Sequence, residues 1–134
     1  MDTDPGGNLP AEHLTIDQLV ARNMRRWRLA AGLTQDELGA RLGWTGPRAA
    51  ANVSAAERSA DPSRDARRFD AQTLTELSLA LSVPVVAFFV PPDDDGQRAR
   101  YMFTAAGRDY DMSDLMALAV MTDSPDDQIG RAHV

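Results

Sequence analysis

Apolar positions recur at helical spacing from about Thr15 onward: Ile16, Leu19, Val20, Met24 (with Asn23 at the polar edge), Trp27 and Ala31 share one face, and Gly32 suits a left-handed cap that ends the run. The next stretch, LTQDELGARLGW at 33–44, predicts a short second helix whose start, buried face and stop are all carried by side chains. Thr34 and Glu37 have the spacing of a capping box, and Leu38 and Leu42 lie four apart on one face. Gly39 and Ala40 let another helix approach closely, and Gly43 is a natural stop. A helix of this length is marginal alone, so it must be held between longer neighbours.

Beyond it, Trp44 supplies an apolar anchor, Thr45 can cap the next element, and Pro47 suits the first position of a third helix running to about Arg58. Residues 59–70, SADPSRDARRFD, are turn-rich. Asp70 or Thr73 then caps a fourth helix with a buried stripe of Leu74, Leu77, Ala80 and Leu81. Pro84 opens a short fifth helix over 85–89, whose Phe88 and Phe89 close the core before Pro91 and Pro92 end the domain. Residues 93–96 form an acidic linker, 100–112 alternate weakly around Ala106 and Gly107 as a small hairpin, and Ser113 caps a last apolar run, 114–121. Such a hairpin and helix cannot be stable by themselves and need a partner surface. The organisation expected is a disordered lead at 1–10, a domain at 11–92, and an acidic linker with a C-terminal appendage at 93–134.

The balance of residues, 43% hydrophobic and 25% charged, is that of an ordinary globular chain. No apolar run approaches a membrane span and no basic, apolar leader opens the chain, which predicts a cytoplasmic protein with no membrane partner. The absence of cysteine excludes disulfides, thiolate catalysis and cysteine-ligated zinc, and His13 and His133 stand too far apart in sequence to suggest a metal cage. No cofactor is implied, no residue pattern identifies a small-molecule effector, and no nucleophile–base pair or Gly-rich phosphate loop points to an enzyme. The net charge of -6 looks wrong for a nucleic-acid binder until it is divided. Arg22 to Arg68 hold ten Arg against five acids, a local balance of +5, whereas 93–134 hold nine Asp against four Arg.

The segment Met24, Trp27, Arg28, Gly32, Leu33, Thr34, Gln35, Glu37, Leu38, Leu42 and Gly43, followed by Val53, Ser54, Glu57, Leu74, Leu77, Ala80, Leu81, Val83, Phe88 and Phe89, resembles the Cro and cI phage repressors and the wider xenobiotic-response-element (XRE) family of DNA-binding regulators. The resemblance spans 14–91 and makes the second helix half of a helix-turn-helix. It implies an all-α, five-helix domain, to which the residues add a small C-terminal hairpin-plus-helix appendage. The family pairs an arginine four residues before the glycine with a glutamate near the end of the recognition helix, which implies an ion pair between Arg28 and Glu57. The chain departs from the pattern between Gly43 and Glu57, with about four extra residues, roughly one helical turn. That turn either lengthens the start of helix 3 or enlarges the connection before it.

Counting back from Glu57 places the family's base-reading positions on Ala50, Ala51 and Ala55, which can touch a thymine methyl but cannot hydrogen-bond a base edge. Arg48 and Asn52 are the neighbours able to contact guanine and adenine in bidentate fashion. Gln35 and Thr45 are further candidates for DNA contact, and Ser54 either contacts phosphate or covers a helix end. Arg64, Arg67 and Arg68 make the 59–70 loop cationic, suited either to phosphates or to a solvated surface balanced by Asp61 and Asp65. Arg22, Arg25 and Arg26 fit a solvated face of helix 1. The function expected is sequence-specific binding of double-stranded DNA by a bacterial transcriptional regulator, with the recognition helix in the major groove. The alternative is an antitoxin-like or other protein-interaction module whose DNA-binding role is secondary or lapsed, favoured by the Ala-rich recognition helix. Spare apolar groups at 98–121 suggest a homodimer through that segment, or packing back onto the domain. The closing residues IGRAHV, 129–134, are also what one reading frame of a common sequencing adapter encodes, so the natural chain is expected to continue beyond Gln128.

Overall fold

The computed structural model describes residues 12–61, 63–64, 67–90 and 101–120. The expected lead at 1–10, the linker at 93–96, the end at 129–134, Pro91, Pro92, Arg100, Met121 and Asp65 lie outside the described residues. Helix α1 (Ile16–Ala30) begins where Thr15 and Gln18 cap each other reciprocally, each side chain accepting from the other's backbone amide at 2.9 to 3.0 Å. Helix α2 (Gln35–Arg41) opens on the Thr34–Glu37 box, with the same two bonds at 2.8 and 3.0 Å. Helix α3 is Ala49–Arg58 and helix α4 is Ala71–Leu81, the latter capped by Asp70, which accepts from the Thr73 amide at 2.8 Å.

These helices share one apolar cluster in which Met24, Leu38, Val53, Leu77 and Phe88 are essentially inaccessible to water. Gly39 is buried where α2 crosses the start of α3: a Cβ there would stand 3.0 Å from the Cβ of Ala49 and 3.2 Å from its carbonyl. Asn23, placed at the polar edge of α1 by its spacing, is instead fully buried. Its Nδ2 donates to the carbonyls of Phe88 and Val90 at 2.8 and 3.0 Å, and Trp27 Nε1 donates to Ala87 at 3.2 Å. Polar groups of α1 thus close the open end of the next segment, which would otherwise bury unpaired carbonyls. That segment, expected as a fifth α-helix, is a single 3-10 turn, Val85–Phe88.

The all-α expectation is overturned, because the chain forms a three-stranded mixed sheet and the class is α+β. Strand β1 (Glu12–Leu14) runs parallel to β2 (Tyr101–Ala105), pairing Leu14 with Phe103, and β2 pairs antiparallel with β3 (Arg108–Asp111). The expected hairpin is therefore present, turning at Ala106 and Gly107, but it is the inner and one outer strand of a sheet completed from the far end of the chain. A lone hairpin lacks the buried face that stability requires, and β1 supplies a third strand and Leu14. Three residues carry too short an alternation to be read, which is why β1 escaped the pattern.

Helix α5 (Met112–Val120) comes directly after β3. Its start is held by Asp111 rather than Ser113: Asp111 accepts from the Ser113 hydroxyl at 2.6 Å and the Asp114 amide at 3.1 Å, while Asp114 accepts from the Asp111 amide at 3.3 Å. Those hydrogen bonds to the charged form, the Ser113 hydroxyl first, hold the Asp111 carboxyl below its ordinary range. Leu14, Leu19, Phe103, Met112 and Leu115 form a second apolar cluster, with Ile16 touching both clusters and Phe103 stacked on Tyr110 at 5.4 Å. Much of the apolar surplus that argued for a second copy through 98–121 is thus covered within the chain, although Leu118 remains exposed.

Candidate nucleic-acid interface

Helix α3 has two unlike sides. Ala49, Val53, Ala56 and Glu57 are buried, and Arg48, Ala51, Asn52, Ala55 and Arg58 form an exposed stripe at helical spacing on the opposite side. Arg48, Ala51, Asn52 and Ala55 therefore stand together as the sequence placed them, with Ser54 half-buried at the edge of the stripe. Arg58, which the sequence marks only as a helix end, continues the line from Ala51 and Ala55 and gives the stripe a second cation. The i, i+4, i+7 spacing from Ala51 could have found it.

The extra residues before α3 enlarge the connection, which runs from 42 to 48, and leave α3 short at its start. Thr45 does not cap α3, nor is Pro47 its first residue. Gly46 takes φ +88, a left-handed turn that moves the start of the helix on to Ala49, so Arg48 occupies the cap position without a side-chain bond. The Thr45 side chain is exposed in that connection. Trp44 packs against the main core, and the Arg67 guanidinium lies 5.5 Å from its ring centroid, so the 59–70 loop touches the connection that presents Arg48. Arg64 stays local, 3.9 Å from Asp61 across an exposed turn, and Arg68 is exposed.

Behind the stripe sits a buried charged pair. Arg28 Nε donates to Glu57 Oε2 at 2.7 Å and Nη2 to Oε1 at 3.1 Å, a bidentate fork, while Nη1 donates to the Leu33 carbonyl at 2.8 Å. Gln35 Nε2, at the start of α2, donates to the same Glu57 Oε1 at 3.2 Å. Gln35 is thereby drawn into this lock, which joins α1, α2 and α3 at one carboxylate. The implied Arg28–Glu57 contact is present, with side-chain exposures of 9% and 3%.

No described helix is long and apolar enough to cross a membrane. Comparison of the chain with protein-family models, with curated proteins and with solved structures gives no match.

Proposed function

We propose that the chain is a DNA-binding regulator of the XRE type, acting in the cytoplasm, in which α2 and α3 serve as a helix-turn-helix and α3 enters the major groove. The observation that carries this reading is the exposed stripe Arg48, Ala51, Asn52, Ala55 and Arg58 on a helix whose other side is fixed by the Arg28–Glu57 lock. Arg48 and Asn52 supply the two hydrogen-bonding base readers, Ala51 and Ala55 supply apolar contacts to thymine methyls, and Arg67, held beside the connection, supplies phosphate contact. Arg58, Arg64 and Arg68 add sequence-independent charge.

The test is selection of duplexes from a random pool, followed by titration of the selected and a scrambled duplex at several salt concentrations. The affinity of the chain is expected to fall steeply with salt. Arg48→Ala or Asn52→Ala should relax preference at one base pair by about 1–3 kcal/mol, whereas Arg67→Ala should weaken both duplexes alike. Absence of binding to any duplex at low salt would reject the reading and leave the protein-interaction module, for which the alanines of the stripe are the supporting observation.

A further inference from the structure

The Arg67 guanidinium owes its place to two residues from other parts of the chain. One is Trp44, whose amide donates to the Gly39 carbonyl at 2.9 Å and whose ring packs against the main apolar cluster, so that the ring is a fixed platform. The Arg67 guanidinium lies 5.5 Å from the ring centroid while the residue stays exposed. A guanidinium stacked on a ring uses its flat face, which leaves its N–H edges free to donate in plane.

The other residue is Asp17, in the first turn of α1. Its Oδ1 accepts from the Phe69 amide at 3.0 Å. Phe69 is buried in the main cluster, where that amide would otherwise lack a partner. Asp70 then caps α4, so two successive residues are fixed by a core side chain, a carboxylate and a helix start. Arg67 stands two residues before Phe69, within about 7 Å along the backbone. An anchor so near removes much of the freedom that an exposed arginine would otherwise lose on stacking.

We propose that Asp17 and Trp44 are positioning residues for DNA binding that seat Arg67 for phosphate, Asp17 by holding the loop end through Phe69 and Trp44 by holding the guanidinium face. The proposal rests on the DNA-binding reading and adds to it an acid that favours binding. Through its charge alone a carboxylate opposes a duplex, so its removal should tighten the complex. Acting through the Phe69 amide, Asp17 has the opposite sign, and its removal loosens the complex.

The full chain is compared with Asp17→Ala, Asp17→Asn and Trp44→Leu, first without duplex and then with it. In the free protein, NMR reads the Arg67 side-chain protons, which the ring current of Trp44 moves upfield. Asp17→Ala should abolish that shift, and Asp17→Asn, whose amide oxygen still accepts from Phe69, should keep it. With duplex, Asp17→Ala and Trp44→Leu should each weaken the selected and the scrambled sequence alike by about threefold, the worth of an exposed cation–π contact. Asp17→Asn should bind at least as tightly as the parent. In an Arg67→Ala background neither Asp17→Ala nor Trp44→Leu should weaken binding further, which separates seating from a general loss of stability. An upfield shift that survives Asp17→Ala, unchanged or tighter duplex binding by Asp17→Ala, or the same loss in the Arg67→Ala background would overturn the proposal. Absence of duplex binding by the parent would reject the DNA-binding reading and the phosphate contact with it, whereas the comparison in the free protein decides by itself whether Asp17 seats Arg67.

Discussion

The Arg28–Glu57 pair gives the sharpest energetic test of the fold. Arg28→Ala leaves the Glu57 carboxylate, on a side chain 3% exposed, with only the Gln35 amide at 3.2 Å. Removing one partner of a buried pair costs about 3–5 kcal/mol, and because α3 holds Glu57 in place the loss should lie at the upper end of that range. Glu57→Ala leaves Arg28 with the Leu33 carbonyl at 2.8 Å, but a long stem lets the guanidinium swing toward water, so about 3 kcal/mol is expected. The apolar replacement of both, Arg28→Met with Glu57→Leu, should cost within about 1 kcal/mol of nothing, because it removes both desolvated charges together. Urea unfolding, followed in parallel by tryptophan fluorescence and circular dichroism, yields each value, with an unchanged denaturant slope required of every variant. A double-mutant cycle with Arg28→Ala and Glu57→Ala should show coupling of at least about 2 kcal/mol. Coupling below about 0.5 kcal/mol would refute the reasoning, since it would mean that the fork contributes nothing that either residue lacks alone.

Other single positions carry their own expected outcomes. Gly39→Ala should destabilise by about 1–3 kcal/mol in thermal melts, because its new Cβ meets Ala49 at 3.0 Å and the neighbouring backbone cannot yield as a side chain could. Ala106 takes φ +53 at the first position of the hairpin turn, so Ala106→Gly or Ala106→Asn should stabilise by about 1 kcal/mol, read as a raised melting temperature. The Asp70 carboxyl, exposed at the start of α4, is held below the ordinary 3.8 by the Thr73 amide. A carboxyl lowered in the folded state contributes stability that is complete above its unfolded value and is lost as pH falls through the folded one. Acid unfolding of Asp70→Asn, which keeps a neutral cap, should therefore be less pH-dependent below about pH 4 than that of the parent chain.

Features set by neighbours three or four residues apart were legible in the sequence. Thr34 with Glu37 and the stop at Gly43 needed no knowledge of the fold, and the cap of α4 was narrowed to Asp70 or Thr73, of which Asp70 caps and Thr73 supplies the amide, because the groups that satisfy each helix end lie within one turn of it. The Arg28–Glu57 fork came instead from resemblance, since nothing local pairs residues on different helices. Thr45 misled for a physical reason: a threonine shortly before a proline marks a helix start, but the left-handed Gly46 lets the chain turn once more before the helix starts. Asn23 was misplaced because its partners are backbone carbonyls of the Val85–Phe88 turn and its flank, which leave no side-chain signature. For the candidate interface, the periodicity of α3 was enough to place Arg48 and Asn52 on one side, whereas the stacking of Arg67 on Trp44 depends on how two loops meet.

The parallel pairing of β1 with β2 also sets an order of events during synthesis. Strand β1 leaves the ribosome before α1, but among the described residues its neighbour in the sheet is β2, which begins at Tyr101. At ordinary elongation rates the intervening chain takes on the order of 5–20 s to make, during which the four helices around Met24 and Leu38 can already associate. Glu12–Leu14 must wait through that interval with its ladder groups unpaired. Closure of the sheet thus follows synthesis of the helical core, and a nascent chain stalled before Tyr101 would present a hydrophobic edge at Leu14 and Leu19 to the cell's quality-control machinery while those helices were already made.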